Sequence, residues 1–368
     1  MDIEQLVKDG DVMASVEEST WGGQDPDETA DRHHALAVRC TGFGGYDMLK
    51  VQRIELPKQL PSGHIEVQVH ACGMNFADLY TRQGLMRDRK PPFTLGMECT
   101  GQVVSVAPNV TNFKFTGGLH QEFVVLPATC CFPLPDGVPY DDGAALIVNY
   151  LTAYFCVVDI GNLQPGQSIL VHSCVGGVGW ACTQLAHTVT NVTVYGTCST
   201  TSKHEAARQN GVKYVFDPAT YESELRSMSP QGVHLVVDSI GGANFTISQR
   251  ILQPLGRAVL TGASSMIQGE RRLSFLDMIC IWWRTRGVSA TDLMMQNMVV
   301  SGLHLGNLMR DDLARVQAAM REIFLLYIEA KVKPRIDSVW PFEKIVDATK
   351  VLQERRNIGK VLLKPTIK

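Results

Sequence analysis

The sequence lacks the features that mark several classes of protein. Its 34 basic and 37 acidic side chains leave a net charge of −3, so no basic excess favours nucleic acid, and we expect no nucleic-acid partner. No apolar run reaches the roughly 18 to 20 residues that span a bilayer, which argues against an integral membrane protein. There is no G-x-x-x-x-G-K-[ST] loop and no EF-hand spacing, so an ATPase or a calcium-regulated carrier has little support.

Residues 1–33 also lack a secretion signal, because no basic start leads into an apolar stretch. They are rich in Asp and Glu and are predicted to form an acidic, disordered tail. The ten cysteines contain no C-x-x-C pair, and the neighbours Cys130 and Cys131 cannot easily bridge each other. Reduced thiols in a cytoplasmic protein are the expectation.

What is present is an ordinary globular composition, 45% hydrophobic and 19% charged. Up to about residue 150, alternating segments such as 64–71 and 99–106 are separated by Gly and Pro, which is typical of a small β-barrel or sandwich. Beyond that point strands alternate with helices, which predicts an α/β domain with a parallel sheet covered on both faces. After the segment 332–336, the last part is predicted to contain a helix at 342–355 and a strand at 360–363.

The sharpest feature is an apolar strand that leads into a glycine-rich turn and a helix: Ile169-Leu-Val-His-Ser-Cys-Val-Gly-Gly-Val-Gly-Trp180. Gly176 and Gly177 permit a tight turn and let backbone N–H groups approach a pyrophosphate, and Gly179 lets the helix pack close to the strand. The phosphates then lie at a helix N-terminus, where the dipole favours negative charge. A plain tight turn is the alternative, but the flanking strand and helix favour nucleotide binding.

The end of the next strand indicates which nucleotide binds. It reads Tyr195-Gly-Thr-Cys-Ser-Thr-Thr-Ser-Lys203, without the carboxylate that would accept hydrogen bonds from the ribose of NAD. Ser199 and Lys203 suit a 2′-phosphate, so NADPH is predicted as the cofactor. The alternative is that Ser199 caps a helix and Lys203 is solvated.

A further motif extends the pattern: Ala71-Cys-Gly-Met-Asn-Phe-Ala-Asp-Leu-Tyr-Thr-Arg-Gln-Gly84. With the glycine turn and the stretches Pro92-Phe-Thr-Leu-Gly-Met-Glu98, Asp238-Ser-Ile-Gly-Gly242 and Gly359-Lys-Val-Leu-Leu363, it resembles the medium-chain dehydrogenase/reductase superfamily, in its zinc-free quinone oxidoreductase branch. The resemblance covers about residues 34–365. It implies a GroES-like β-barrel catalytic domain at 34–150, a Rossmann NADPH-binding domain at 151–305, and a return to the catalytic domain at 306–368.

Within that branch several stretches resemble the synaptic vesicle membrane protein group. The longest is Ile336-Asp-Ser-Val-Trp-Pro-Phe-Glu-Lys344, and others are Val148-Asn-Tyr-Leu-Thr-Ala-Tyr154 and Trp282-Trp283. The resemblance implies association with vesicle or mitochondrial membranes, and a homodimer formed through the edge of the Rossmann sheet.

The resemblance also implies the residues of the site. The predicted cofactor-binding residues are Thr152, Ser173, Gly176, Gly177, Val178, Gly179, Ser199, Lys203, Gly262 and Lys360. The predicted catalytic residues are Asn75, Asp78 and Tyr80, which in the family lie beside the nicotinamide. Asn75 could donate a hydrogen bond to a carbonyl and Tyr80 could contact the nicotinamide or give a proton, whereas Asp78 fits a role in local structure better. The alternative is that the stretch is a helix start capped by Asn75 and Asp78.

No zinc is predicted. The zinc-dependent relatives carry Gly-His-Glu where this chain has Gly96-Met97-Glu98, and methionine does not replace imidazole as a zinc ligand. Cys72 and Glu98 alone do not make a catalytic site.

Two departures from the family pattern bear on these expectations. Pro218 stands where a tyrosine often touches the 2′-phosphate, which puts more of the recognition on Lys203. The family's Gly-Asp-Arg-Val strand is absent near residues 113–118, which suggests a splice form or a gene-model error, or an altered active-site wall.

Two functions follow from the sequence. The first is a zinc-independent NADPH oxidoreductase that acts on a quinone or enone. The second is a membrane-associated regulatory or lipid-handling protein that keeps the nucleotide fold with little turnover. Residues 273–286 bear on the second, because tryptophan beside arginine suits a bilayer interface, although a helix packed within the protein or against a dimer partner is the simpler interpretation.

Overall fold

The computed structural model describes residues 34–86, 89–108, 118–267, 269–270 and 288–366. The predicted acidic tail, residues 113–117 of the shortened stretch, and residues 273–286 lie outside the described residues. The chain divides into two compact units. The first unit contains the residues up to Ala145 with Ser338–Glu354 and the residues from Val361 on, and the second contains Leu146–Asp337 with Arg355–Lys360.

The strands in the described ranges are β1 (His34–Cys40), β2 (Leu49–Glu55), β3 (His64–Gly73), β4 (Phe93–Thr94), β5 (Cys99–Val106), β6 (Phe123–Pro127), β7 (Ser168–Val171), β8 (Thr193–Thr197), β9 (Tyr214–Phe216), β10 (Val233–Asp238), β11 (Leu252–Leu260), β12 (Val299–Gly302), β13 (Ile336–Pro341) and β14 (Lys360–Lys364). The helices there are α1 (Phe76–Gln83), α2 (Tyr140–Tyr154), α3 (Gly177–His187), α4 (His204–Gln209), α5 (Tyr221–Met228), α6 (Ala243–Arg250), α7 (Ala290–Gln296), α8 (Leu305–Asp311), α9 (Leu313–Ile328) and α10 (Ile345–Gln353). None of these helices is long and apolar enough to cross a bilayer.

The first unit is built on antiparallel strands. One sheet has the order β2-β1-β4, and the other has the order β13-β14-β3-β5, with β6 also paired to β3. In β3 the apolar residues Ile65, Val67 and Val69 alternate with polar ones and are buried, as expected for a strand with one face on the core. The predicted strands at 64–71 and 99–106 are therefore confirmed.

The second unit contains a six-stranded parallel sheet with the order β12-β11-β10-β7-β8-β9. Its central strand β7 is an apolar run, and Ile169, Leu170 and Val171 are fully buried because the strand has neighbours on both sides. The chain builds outward from β7 in one direction through β8 and β9 and in the other through β10, β11 and β12. The direction reverses between β7 and β10, and ligands of open parallel sheets bind at the carboxyl ends of strands at such a point.

Candidate functional site: the glycine turn of the second unit

The glycine-rich turn lies at the carboxyl end of β7. Ser173 has a left-handed backbone with a φ of 53°, and the Gly176 N–H donates a hydrogen bond of 2.9 Å to the Ser173 carbonyl, which closes the turn. Helix α3 then begins at Gly177, with Gly176 as its N-cap residue. The first N–H groups of a helix have no partner inside it, so the turn directs them toward the end of the sheet.

Two of the glycines are required by close packing. A Cβ atom on Gly177 would overlap the side-chain amide of Asn149, and a Cβ atom on Gly179 would overlap the Ser173 carbonyl oxygen. A Cβ atom on Gly176 would meet only that same oxygen, at 3.3 Å. The second and third glycines therefore hold α3 against its neighbours, and Val178 lies half-buried between them. This cradle fits the diphosphate of a dinucleotide.

The end of the second unit returns to this turn. The Gly359 N–H donates to the Val175 carbonyl at 2.8 Å, and the Asn357 amide donates to the Gly359 carbonyl at 2.7 Å. The Lys360 Nζ atom lies 3.4 Å from Asn149 Oδ1, and Lys360 is buried. The structure thus brings the predicted residue Lys360 to the side chain that touches Gly177.

Sequence reasoning missed Asn149 and Asn357. Asn149 lies on α2 among apolar residues. A polar residue within such an apolar stretch is the feature of the sequence that could have pointed to it. Thr152, which was predicted, is buried one helical turn after Asn149. Gly262 follows β11, and a Cβ atom there would meet the Ser239 carbonyl oxygen at 2.7 Å.

Lys203 lies after β8, where the cofactor's ribose is expected. Its Nζ atom donates to the carbonyls of Arg355 at 2.7 Å and Asn357 at 2.9 Å. Burial lowers the pKa of the Lys203 ammonium, and the negative charges of Cys198 and Asp337 oppose that shift. An ammonium group has three donors, so one remains beyond these two carbonyls. Ser199 is exposed in the same connection, and its contact with a cofactor stays a prediction.

A buried chain of hydrogen bonds connects β10 to the glycine turn. The Ser248 hydroxyl donates to Asp238 Oδ2 at 2.7 Å, and His172 Nε2 lies 3.1 Å from that hydroxyl. His172 Nδ1 lies 3.1 Å from the Thr197 hydroxyl, which accepts the Ser173 N–H at 3.2 Å. Asp238, Ser248, His172 and Thr197 are all buried.

The donors and acceptors of this chain fix its direction. Because Ser248 uses its one hydrogen on Asp238, its oxygen can only accept from His172, which must carry its proton on Nε2. Nδ1 is then an acceptor for the Thr197 hydroxyl. Burial lowers the pKa of His172, although the Asp238 carboxylate opposes the shift, and this agrees with a neutral ring. A neutral His172 therefore orients the oxygen that holds Ser173.

The predicted catalytic residues lie in the first unit, around the start of α1. Both amide hydrogens of Asn75 are used, because Nδ2 donates to Glu98 Oε1 at 2.8 Å and to the Gly73 carbonyl at 3.3 Å. Asp78 accepts the backbone N–H of Asn75 at 2.9 Å and that of Gly96 at 3.2 Å. These contacts agree with the helix-start alternative for Asn75 and Asp78. Tyr80 is half-buried on α1, and its role stays a prediction.

The residues that align with the zinc position of the dehydrogenases lie around Cys72 and Glu98. Among the described residues no three His, Cys, Asp or Glu side chains are grouped so that they could hold a metal ion. Burial, followed by the charges of Cys99, Glu98 and Asp78, raises the pKa of the Cys72 thiol well above its ordinary value. Glu98 is buried and accepts the Asn75 amide.

Comparison with known proteins identifies the family of this chain. Residues 61–136 match the model of the alcohol dehydrogenase GroES-like domain, and residues 210–363 match that of the zinc-binding dehydrogenases. The synaptic vesicle membrane protein VAT-1 homolog of Rattus norvegicus is 43% identical over 90% of this chain and 85% of its own length. The chain belongs to the VAT-1 family. This family is part of the medium-chain dehydrogenase/reductase superfamily, so the resemblance read from the sequence motifs is confirmed.

Solved structures show that the fold of this VAT-1 family member is that of the superfamily. The crystal structure of human VAT-1 homolog-like protein is 31% identical, with a TM-score of 0.78 over 91% of this chain and 99% of that one. A mycobacterial protein complexed with NADPH is 25% identical, with a TM-score of 0.77 over 90% and 100%. Human quinone oxidoreductase is 26% identical over 89% of this chain and 97% of its own length. The predicted α/β fold, with a GroES-like part and a parallel Rossmann sheet, is confirmed.

Proposed function

We propose that the protein is a zinc-independent, NADPH-dependent oxidoreductase that reduces quinones or enones. The observation that carries this proposal is the glycine turn, which leads into the N-terminus of α3 at the switch point of a parallel sheet. A relative named quinone oxidoreductase and a similar structure complexed with NADPH support it. When bound, NADPH would supply the hydride.

The chain's own residues would contribute to cofactor binding in three places. The N–H groups at the start of α3 would bind the diphosphate, and Gly177 and Gly179 keep that approach open. Asn149 and Lys360 support the turn from the side of Gly177. The remaining donor of Lys203 would meet the 2′-phosphate.

The preference for NADPH over NADH rests on charge at the end of β8. No carboxylate stands between Thr197 and Lys203, so nothing there would select the free ribose hydroxyls of NADH or repel a 2′-phosphate. The Lys203 ammonium is anchored by two carbonyls, which fixes a positive charge near that position. A fixed cation favours the cofactor with the additional phosphate.

Zinc independence rests on the first unit. Met97 stands where the zinc enzymes have histidine, and the Glu98 carboxylate accepts an amide. Without a metal, reduction depends on how donor and acceptor are positioned.

The test is a titration of the purified chain with NADPH, with NADH as the comparison. We expect tight NADPH binding that is lost in Gly179→Asp, because that side chain would overlap the Ser173 carbonyl. Gly137→Asp is the matched control, because it places the same side chain, also with backbone strain at a φ of 77°, on an exposed glycine with open space around its Cβ position. Circular dichroism shows that each variant is folded. A folded wild-type chain that binds neither nucleotide would contradict the proposal.

If NADPH binds, a screen of quinones and enones follows, with oxidation of NADPH read from its absorbance. Turnover with added zinc and with a chelator should be equal. Turnover lost on chelation and restored by zinc would contradict the zinc-independent assignment.

The second candidate is a membrane-associated regulatory or lipid-handling protein, located in the cytoplasm and peripheral on a vesicle or mitochondrial membrane. The names of the VAT-1 relatives and the Trp- and Arg-rich sequence 273–286 favour it. Flotation with anionic liposomes should decrease in the double variant Trp282→Ala/Trp283→Ala and stay unchanged in Trp340→Ala. Equal flotation of all three chains would remove this segment from the argument. The homodimer stays a prediction that sedimentation can test.

A further inference from the structure

Two buried cysteines flank the cofactor cradle on neighbouring strands. Cys174 follows β7 and stands two residues before Gly176, and Cys198 directly follows β8. Cys174 is 0% exposed and Cys198 is 5% exposed. Both belong to the second unit, and neither has a part in the proposed hydride transfer.

The ladder between the strands brings the two residues together. The Cys174 N–H donates to the Thr197 carbonyl at 3.1 Å, so one hydrogen bond and one peptide unit separate the two Cα atoms. A Cβ atom on Gly196 would lie 2.6 Å from Cys174 Sγ, so the Cys174 side chain lies over β8. Cys198 is two residues beyond Gly196 and its N–H continues the ladder to Phe216, so its side chain points to that same face.

The electrostatics agree with this placement. Burial, followed by an electrostatic interaction with Cys198, raises the pKa of the Cys174 thiol to about 12. Cys198 also interacts with the Lys203 ammonium. A cation beside a thiol favours its reaction as a nucleophile.

Two other pairs of neighbouring thiols in the described residues, Cys72 with Cys99 and Cys156 with Cys182, have no lysine ammonium beside them like that of Lys203. Burial and then the Glu98 carboxylate raise the pKa of Cys99 to about 12, and Cys99 pairs across the sheet with Cys72. Cys182 is buried beside Cys156, and burial raises its pKa well above the ordinary value. Both of these pairs are therefore expected to stay reduced under conditions that oxidise Cys174 and Cys198.

We propose that Cys174 and Cys198 form an oxidation site, at which a peroxide closes a disulfide that weakens cofactor binding. The Cys198 thiolate attacks one oxygen of hydrogen peroxide, the O–O bond breaks, and the departing hydroxide takes up a proton and leaves as water. Cys198 becomes a sulfenic acid. The Cys174 sulfur then attacks the Cys198 sulfur, the S–O bond breaks, and the hydroxyl leaves with the Cys174 proton as a second water. The two thiols lose two electrons, and the peroxide gains them.

The consequence for the cofactor rests on the function proposed for the glycine turn. A disulfide fixes the distance and the dihedral angle between its two Cβ atoms. Here it would join the residue that leads into the glycine turn to the residue that leads into Ser199 and Lys203. Cys174 Sγ packs over Gly196, where the absence of a Cβ atom leaves room for it, so drawing this sulfur to Cys198 should shift one of these segments. At equilibrium this coupling is reciprocal, so bound NADPH should favour the dithiol over the disulfide by the same factor by which the disulfide weakens NADPH binding.

The experiment uses the full-length chain, reduced and then treated with graded hydrogen peroxide. We expect peptide mapping without reductant to find a Cys174–Cys198 cross-link, and saturating NADPH to suppress it. The oxidised chain should bind NADPH about tenfold more weakly or worse, within the usual range of coupling between sites. Dithiothreitol should restore the binding.

Cys198→Ser should abolish the cross-link and make NADPH binding insensitive to peroxide, and Cys174→Ser should leave a sulfenic acid that dimedone labels. Cys130→Ser, which changes a half-buried thiol of the first unit, is the matched control and should behave like the wild type.

If a variant does not fold, the protection of wild-type thiols by NADPH still decides the question. No cross-link at peroxide doses that oxidise other cysteines, or a cross-link without change in NADPH affinity, would overturn the proposal. A reduced chain that binds no NADPH would instead overturn the proposed function, while the cross-link still decides whether the thiols react.

Discussion

At the scale of single residues, Asp78 shows how a polar side chain of a predicted active-site motif can serve the fold. It is 5% exposed, and its two oxygens accept the N–H groups of Asn75 and Gly96. Asp78→Ala would leave two buried donors without partners, so we expect the free energy of unfolding to fall by about 2–4 kcal/mol. Urea denaturation measures it, with the exposed Asp136→Ala as the control. Equal stability of the two variants would contradict the structural role.

Thr197 is the acceptor that links His172 to the glycine turn. Thr197→Val keeps the shape of the side chain but removes the oxygen that accepts the Ser173 N–H, whereas Thr197→Ser keeps that oxygen. We expect Val to raise the NADPH dissociation constant by about five- to tenfold, the equivalent of one lost hydrogen bond, and Ser to restore it. Isothermal titration measures both. If Ser binds as weakly as Val, packing of the methyl group rather than the hydrogen bond holds the turn.

Lys203 tests the choice of cofactor. Lys203→Gln removes the charge predicted to meet the 2′-phosphate, so the affinity for NADPH should fall by about tenfold while that for NADH changes little. Lys213→Gln, on an exposed lysine beyond α4, is the control and should change neither. The ratio of the two dissociation constants is the measurement, because a general loss of structure would weaken both nucleotides together. An unchanged ratio would mean that Lys203 serves only the two carbonyls it already contacts.

At the scale of elements, the position of α3 depends on Gly179. Its Cβ position overlaps the Ser173 carbonyl and lies 2.7 Å from Cys174 Cα, and backbone atoms cannot move aside as a side chain can. Gly179→Ala should therefore cost about 1–3 kcal/mol of unfolding free energy. Gly176→Ala, with its nearest contact at 3.3 Å, is the matched control and should cost less. A larger loss of unfolding free energy in Gly176→Ala than in Gly179→Ala would mean that the close contact at Gly179 does not hold α3 in place.

Elements with a strong periodic pattern could be predicted from the sequence. The strand predicted at 99–106 has those bounds, and the helix predicted after the glycine turn is observed at Gly177–His187. The strand Ile336–Pro341 was not predicted from the sequence. Pro334 lacks the N–H that a ladder needs, and the alternation of exposed and half-buried residues begins after it. The three-residue strand β9 was too short for periodicity to reveal.

The residues of the candidate site could be predicted where they lie within one sequence motif. They could not be predicted where strand pairing brings together residues that are distant in the sequence. The glycines could be read from their spacing, and Lys360 followed from the family resemblance. His172, Thr197 and Asn357 could not, because their roles depend on the pairing of β7 with β8 and on the return of the chain after Arg355. For Asn75, the sequence could not show that its side-chain amide donates to Glu98.

At the scale of the whole molecule, the fold class could be predicted because matching motifs are spread from about residue 34 to 365. The activity could not be read with the same certainty, because relatives of one fold include proteins named for zinc binding, for quinone reduction and for synaptic vesicles. Met97 and the Asn75–Glu98 hydrogen bond are the features on which the proposed zinc independence rests. Fold alone does not decide function, and the site residues must.

The response of the whole molecule to acid follows from three histidines held neutral. Burial lowers the pKa of His70, His172 and His234, and the charge of Lys364 adds to the shift at His70. In the unfolded chain each takes up a proton below its ordinary pKa of about 6.5, while the folded chain does not until a lower pH. The free energy of unfolding should therefore fall as the pH drops below about 6.5, with His172, 2% exposed, contributing at most about 1.4 kcal/mol per pH unit.

Urea denaturation at several pH values from about 8 to about 5, on both sides of the ordinary histidine pKa, measures how the free energy of unfolding changes with pH. His234→Asn removes one titrating group and keeps an acceptor near the Ser168 N–H, which His234 Nδ1 accepts at 3.1 Å, so the loss of stability with acid should be smaller than in the wild type. His34→Asn changes an exposed histidine and should leave the slope unchanged. If both variants lose stability with acid as steeply as the wild type, the folded chain must take up a proton at His234 as readily as the unfolded chain does.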